Sequence, residues 1–251
     1  MATATRGYPG EASRVFYGIA RLVITLLRPL FARVRVEGRE NIPREGPVIL
    51  AVNHIAWMDI PLLSLCVPHV THYMAKMELF QVPVLGLIIR SLGAFPVRRG
   101  EGDREALRNA EQLLAHGDVL VIFPEGHRSG GKLIPGHPGT AYIALRTGVP
   151  VVPVAISGTE WTLKGLRYGP FAPRVRIVFG KPFVLAPAPG RHGREALAPA
   201  ADQIMRSIAA LLPPAYRGAY ADLDSTAQVA GVEAPAAAQE RAGGRGATPA
   251  Q

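Results

Sequence analysis

The pattern of this chain predicts an α/β fold, and two observations carry the prediction. Short apolar runs bounded by turn residues, Pro47-Val48-Ile49-Leu50-Ala51-Val52 and Val119-Leu120-Val121-Ile122 above all, read as buried strands. Between such runs lie longer stretches with helical spacing, and strands alternating with helices define the class.

Taken in order, a helix is expected over 11–31, with Pro29 bending or closing its last turn. Val34 to Glu37 alternates like a strand, and 47–52 follows as the first buried strand. A helix is expected over 57–66, a short strand over 73–75, a helix over 84–92 and a strand over 93–97. Asp103 is placed to cap a helix that runs to His116 and stops at Gly117. A strand over 118–123, a glycine-rich loop, a helix over 138–147 and strands over 151–156 and 175–179 complete the sheet. The last helix is expected from Pro199 to Leu212, closed by Pro213-Pro214. No internal repeat is visible. From 222 onward the chain is Ala, Gly, Pro, Gln and Glu with few large apolar residues, which predicts disorder. Three segments follow: 1–33, 34–221 and 222–251.

Twenty-eight Lys and Arg against 19 Asp and Glu give a net charge of +9. The tail holds four acids and two bases, so residues 1–221 carry +11. Such a surface attracts anions: nucleic acid, anionic lipid or phosphorylated substrates. Only 7% of residues are aromatic and no nucleic-acid motif is present, so no nucleic-acid partner is expected. Cys66 is the single cysteine, which excludes an intrachain disulfide and fits a reducing compartment. Residues 12–31 come nearest to a membrane span, but Arg14, Arg21 and Arg28 interrupt them. Spaced by seven, these arginines share one stripe of a helix whose remaining circumference is apolar. The pattern suits a membrane interface and equally suits a helix packed on the core.

Three constellations carry chemistry. His54 follows the first buried strand and Asp59 follows five residues later; histidine moves protons near neutral pH, and a carboxylate fixes its tautomer. Alone, the pair reads more often as a helix-capping histidine beside a solvated aspartate. Phe123-Pro124-Glu125-Gly126-His127-Arg128-Ser129 follows the second strand, in a turn expected to expose Glu125 and Arg128. Arg128 suits bidentate phosphate binding, with backbone amides near Gly126 as further donors. Gly93-Ala94-Phe95-Pro96-Val97-Arg98-Arg99 ends a strand in two cations. Weaker signals are set aside. His69-x2-His72 lacks companion ligands, so no metal is expected. Ser129 lacks a Gly-x-Ser-x-Gly elbow, Gly130-Gly131-Lys132 lacks the form of a nucleotide loop, and Cys66 lies in an apolar stretch.

Together these residues resemble the glycerolipid acyltransferase family, whose best-known members acylate lysophosphatidic acid or glycerol 3-phosphate. Four ordered blocks match: Asn53-His54-x4-Asp59, Gly93 to Arg99, Phe123 to Ser129, and Val151-Val152-Pro153-Val154. The segment Ala75-Lys76-Met77-Glu78-Leu79-Phe80, with Pro83 and Gly86, also matches, and the resemblance covers about residues 35–182. Two positions depart from it. His127 stands where threonine is common, and Gly136-His137-Pro138-Gly139 replaces a usual Phe-Lys before the helix glycine.

The resemblance implies a glycerol-3-phosphate acyltransferase-like αβα domain with an amphipathic N-terminal helix. It implies transfer of an acyl group from acyl-coenzyme A or acyl carrier protein to a lysophospholipid hydroxyl, with 1-acyl-sn-glycerol 3-phosphate as the leading acceptor. His54 would be the base and Asp59 its orienting partner. Arg99 and Arg128 would hold the acceptor phosphate in a pocket shaped by Glu125 and Gly126. Val152 and Pro153 would serve the donor site or core packing. No cofactor is implied beyond the acyl donor, and the expected location is the cytoplasmic face of a membrane with anionic lipid, as a peripheral or monotopic protein. Another lyso-lipid or glycolipid acceptor, or a non-catalytic lipid-binding role, is the alternative.

Overall fold

A computed structural model describes residues 13–98, 103–162, 172–186 and 193–223. Seven strands form one sheet among these residues: β1 (Arg33–Glu37), β2 (Val48–Val52), β3 (Thr71–Lys76), β4 (Ala94–Val97), β5 (Val119–Ile122), β6 (Val151–Ser157) and β7 (Arg174–Phe179). Their order is β1-β7-β6-β2-β5-β3-β4. The five from β6 to β4 are mutually parallel, while β7 pairs antiparallel with β6 and carries β1 parallel to itself. The carboxyl ends of β2, β5 and β6 therefore open on the same edge, where open α/β sheets bind ligands.

The helices are α1 (Arg14–Phe31), α2 (Asp59–Cys66), α3 (Pro83–Ser91), α4 (Arg104–His116), α5 (Gly139–Thr147) and α6 (Arg194–Leu211). Alternation along β2 shows why the sheet is covered twice. Ile49 and Ala51 enter one core with residues of α4, α5 and α6; Val48, Leu50 and Val52 enter another with Leu62, Leu63 and Cys66 of α2. Asp103 caps α4, accepting the amides of Glu105 and Ala106 at 3.0 Å each, and Gly117 ends it in the left-handed region at φ 96°.

Several boundaries shift by one to three residues; the last helix moves furthest, and the start of the third strand has a clear cause. The last helix starts at Arg194, five residues before Pro199, because Ala196 already packs inward and the proline costs only one internal bond. The third strand begins at Thr71, whose pairing with Val119 extends the ladder past the expected start.

The N-terminal helix sits neither as a core cover nor with its arginines all outward. Tyr17 is the one buried residue of α1. Its hydroxyl bonds Thr71 Oγ1 at 2.9 Å, and Thr71 bonds Tyr73, which bonds Ser64. Arg21 turns inward and donates to the carbonyls of Ser64 and Val67 at 2.8 Å and Leu65 at 3.2 Å, at the carbonyl end of α2. Val15, Ile19, Leu22, Val23, Leu26 and Leu30 point to solvent. The helix thus docks by polar bonds and leaves its apolar side uncovered. Val84 and Leu87 of α3 are also about two-thirds exposed, at 70% and 68%. Among the described residues no helix is long and apolar enough to cross a membrane. Apart from Asp222 and Leu223, the tail expected to be disordered lies outside the described residues, as does the chain before Ser13.

Candidate active site

Three strand ends build the site. The first turn after β2 wraps around Asp59, the first residue of α2 and fully buried. Asp59 Oδ2 accepts the amides of Ile55 at 2.6 Å and Ala56 at 2.8 Å, and takes the Nδ1–H of His54 at 2.8 Å. Oδ2 already accepts two backbone N–H groups, so it serves the imidazole as an acceptor, and the proton of neutral His54 sits on Nδ1. Nε2 is left with its lone pair, without a protein partner among the described residues, on a ring that is 11% exposed. Phe123, just past β5, stacks on that ring with centroids 4.1 Å apart.

The backbone of His54 is held equally firmly. Its amide donates to Glu125 Oε1 at 2.7 Å, and its carbonyl accepts from Ser129 N at 2.8 Å and Ser129 Oγ at 3.1 Å. Asn53 clamps β2 to β6 with its side chain: Nδ2 donates to the Ile156 carbonyl at 2.9 Å and Oδ1 accepts the Ile156 amide at 2.7 Å. That amide imitates a further residue of strand ladder.

Glu125 corrects an expectation. The turn after β5 does not expose it; the side chain is fully buried, and its other oxygen accepts the Ile134 amide at 3.2 Å. Burial pushes its carboxyl up to about 7, against the amides of His54 and Ile134, which favour the charged form. It braces the two loops from beneath. Gly126 beside it adopts φ 70°, which favours glycine, and a Cβ there would lie 2.8 Å from the exposed His137 ring. Arg128 is exposed, its guanidinium carbon 3.9 Å from the centroid of the half-exposed Trp57 ring. No carboxylate pairs with it among the described residues.

Arg99 lies outside the described residues; Arg98, at the end of β4, is exposed on the carboxyl edge of the sheet. Val152 and Pro153 are buried in the middle of β6, with Val152 in the α2-side core and Pro153 against Gly180. The pair His69 and His72 does not converge: His69 Nε2 donates to the Arg44 carbonyl, and buried His72 Nδ1 to that of Gly93. Among the described residues no three His, Cys, Asp or Glu side chains could hold a metal. Cys66 is buried, with its thiol pushed up to about 11 by desolvation, which keeps it unreactive. Thr159, in the turn after β6, escaped the sequence reading: its Oγ1 donates to Asp59 Oδ1 at 2.5 Å. The one signal was its position just past a strand ending on the same edge.

A family model described as Acyltransferase matches residues 33–157, from the start of β1 to the end of β6. The crystal structure of the 1-acyl-sn-glycerophosphate (LPA) acyltransferase PlsC from Thermotoga maritima superposes with a TM-score of 0.55 at 31% identity, covering 76% of this chain and 75% of that one. The chain belongs to the acyltransferase family. A 1-acyl-sn-glycerol-3-phosphate acyltransferase of Bacillus subtilis is 28% identical over 193 residues, which are 76% of this chain and 94% of that protein. A lyso-ornithine lipid O-acyltransferase of Pseudomonas aeruginosa is 39% identical over 127 residues, 49% of this chain and 47% of its own length. This acyltransferase therefore spans nearly all of one relative and under half of the other.

Proposed function

We propose that this acyltransferase moves a fatty acyl group from an acyl thioester to the hydroxyl of a lysophospholipid, with 1-acyl-sn-glycerol 3-phosphate as acceptor and phosphatidic acid as product. One observation carries the reading: His54 has Nδ1 tied to buried Asp59 and Nε2 free, on the same edge as the open guanidinium of Arg128. The names of the Bacillus and Thermotoga relatives support the acceptor. Nε2 accepts the acceptor's hydroxyl proton as its oxygen attacks the thioester carbonyl. The new C–O bond forms, the C–S bond breaks, and the imidazolium returns the proton to the departing thiolate. Asp59 stabilises that imidazolium. Arg128, with Arg99, holds the phosphate. The donor is acyl-coenzyme A or acyl carrier protein, and the apolar side of α1 rests on an anionic membrane surface, bringing the site to its lipid acceptor.

The resemblance to the Pseudomonas protein favours a second reading, in which the acceptor is a lyso-ornithine lipid. Thiol release from a long-chain acyl-coenzyme A and from the acyl carrier protein thioester, with each acceptor in turn, separates the two. Release on adding lysophosphatidic acid alone is expected. Release with the lyso-ornithine lipid alone transfers the function to that acceptor. No release with either donor and any acceptor defeats the catalytic reading.

A further inference from the structure

We propose that Thr159 is a positioning residue for the His54–Asp59 pair, its hydroxyl locking the carboxylate that orients the base. The proposal deepens the acyl-transfer reading and rests on it for its kinetic test. The two oxygens of Asp59 are served unequally. Oδ2 takes three donors, from His54, Ile55 and Ala56, whereas the bond given to Oδ1 comes from Thr159. Asp59 is 0% and Thr159 1% exposed, so bulk water does not take the place of that hydroxyl. Without it, a buried carboxylate oxygen loses its partner, and the plane of the group can rotate about the Oδ2 contacts.

The surrounding chain delivers the hydroxyl accurately. Asn53 binds both backbone groups of Ile156, so the end of β6 is pinned to the residue before His54. Gly158 then turns at φ 90°, passing the start of β7 so closely that a Cβ would stand 2.2 Å from the Arg174 carbonyl oxygen. The turn is held by Thr162 Oγ1 donating to the Thr159 carbonyl at 2.6 Å, a bond that does not use the Thr159 side chain. The hydroxyl is thus dispensable for the turn and committed to the aspartate. The match to the family model ends at Ser157, two residues before it.

The test uses the full-length protein with Thr159→Val, which keeps the shape and removes the hydroxyl, Thr159→Ala, which removes it without placing a methyl against Asp59, and Thr159→Ser, which restores it. With lysophosphatidic acid and an accepted acyl thioester, kcat is expected to fall roughly tenfold or more in Val and Ala at little-changed acceptor KM, as for loss of a buried hydrogen bond to a charged group. Ser stays near wild type. The downfield His54 Nδ1 proton resonance, read by NMR without substrate, shifts or broadens in Val and Ala and persists in Ser. Wild-type kcat with an unmoved resonance in Val or Ala overturns the proposal, as do equal losses in Ala and Ser. If wild type itself transfers no acyl group, the acyl-transfer reading fails while the resonance still decides the role of Thr159.

Discussion

His54 and Arg128 stand on loops bonded to each other, yet the structure treats them in opposite ways. His54 is fixed by its amide, its carbonyl, one ring nitrogen and one ring face, with a single nitrogen left open. Arg128 is exposed, with an aromatic face beneath it. Under the proposed function the difference separates two tasks. A proton-transferring group must be held at hydrogen-bond range with the right tautomer, which the fold secures before any ligand arrives. An anion-binding group gains by leaving its donors unpaired until the anion supplies the acceptor.

That contrast can be broken at four points. His54→Ala should lower kcat by about 10²–10⁴ with the melting temperature little changed, because the Asp59 bonds to Ile55, Ala56 and Thr159 survive. Steady-state thiol release beside a thermal melt checks it, and a variant keeping most of its activity removes the base assignment. Next comes Glu125. Its carboxyl titrates at about 7 when folded against an ordinary 4.5, so the native state binds its proton more tightly and this group's contribution to stability falls as pH rises between those values. The cost above pH 7 is on the order of 3 kcal/mol. Urea midpoints at pH 5 and pH 8 should show a decline in wild type that is smaller in Glu125→Gln; equal declines contradict the buried-brace account.

On the open side, Arg128→Ala should raise KM for a phosphate-bearing acceptor by roughly 10- to 100-fold, the worth of a charge-assisted pair. An equal rise for an acceptor without phosphate would rule out the phosphate contact. The smallest effect belongs to Trp57→Ala. An exposed cation–π contact is worth about 0.5–1 kcal/mol, so acceptor KM should rise only a few-fold, and Trp57→Phe should recover part of it. A loss as large as that of Arg128→Ala would mean that the indole itself touches the acceptor.

Much of this architecture was legible in the sequence because it rests on local pattern. The buried runs at 47–52 and 119–122 announce central parallel strands, and the Asp103 and Gly117 caps bracket α4 within a residue. The meeting of His54 with Asp59 was legible for another reason: spacing alone favoured a solvated aspartate, and the resemblance carried by four ordered blocks implied the contact that the structure shows. What stayed hidden depends on distance along the chain. Glu125 looks like any acid in a Pro-Gly turn until the loop carrying Ile134 folds over it. Thr159 reaches Asp59 across 100 residues, and no spacing rule connects them. The stripe of arginines on α1 was visible, but periodicity gives a face, not the side on which the protein lies; only the carbonyl end of α2 turns Arg21 inward.

That last contact has a mechanical consequence. One end of α2 is gripped by Arg21 of α1, and the other begins with Asp59. Eight residues of helix, about 12 Å, act as a strut between them. If His54 is the base of the proposed reaction, the standoff between α1 and that base is about the length of this strut.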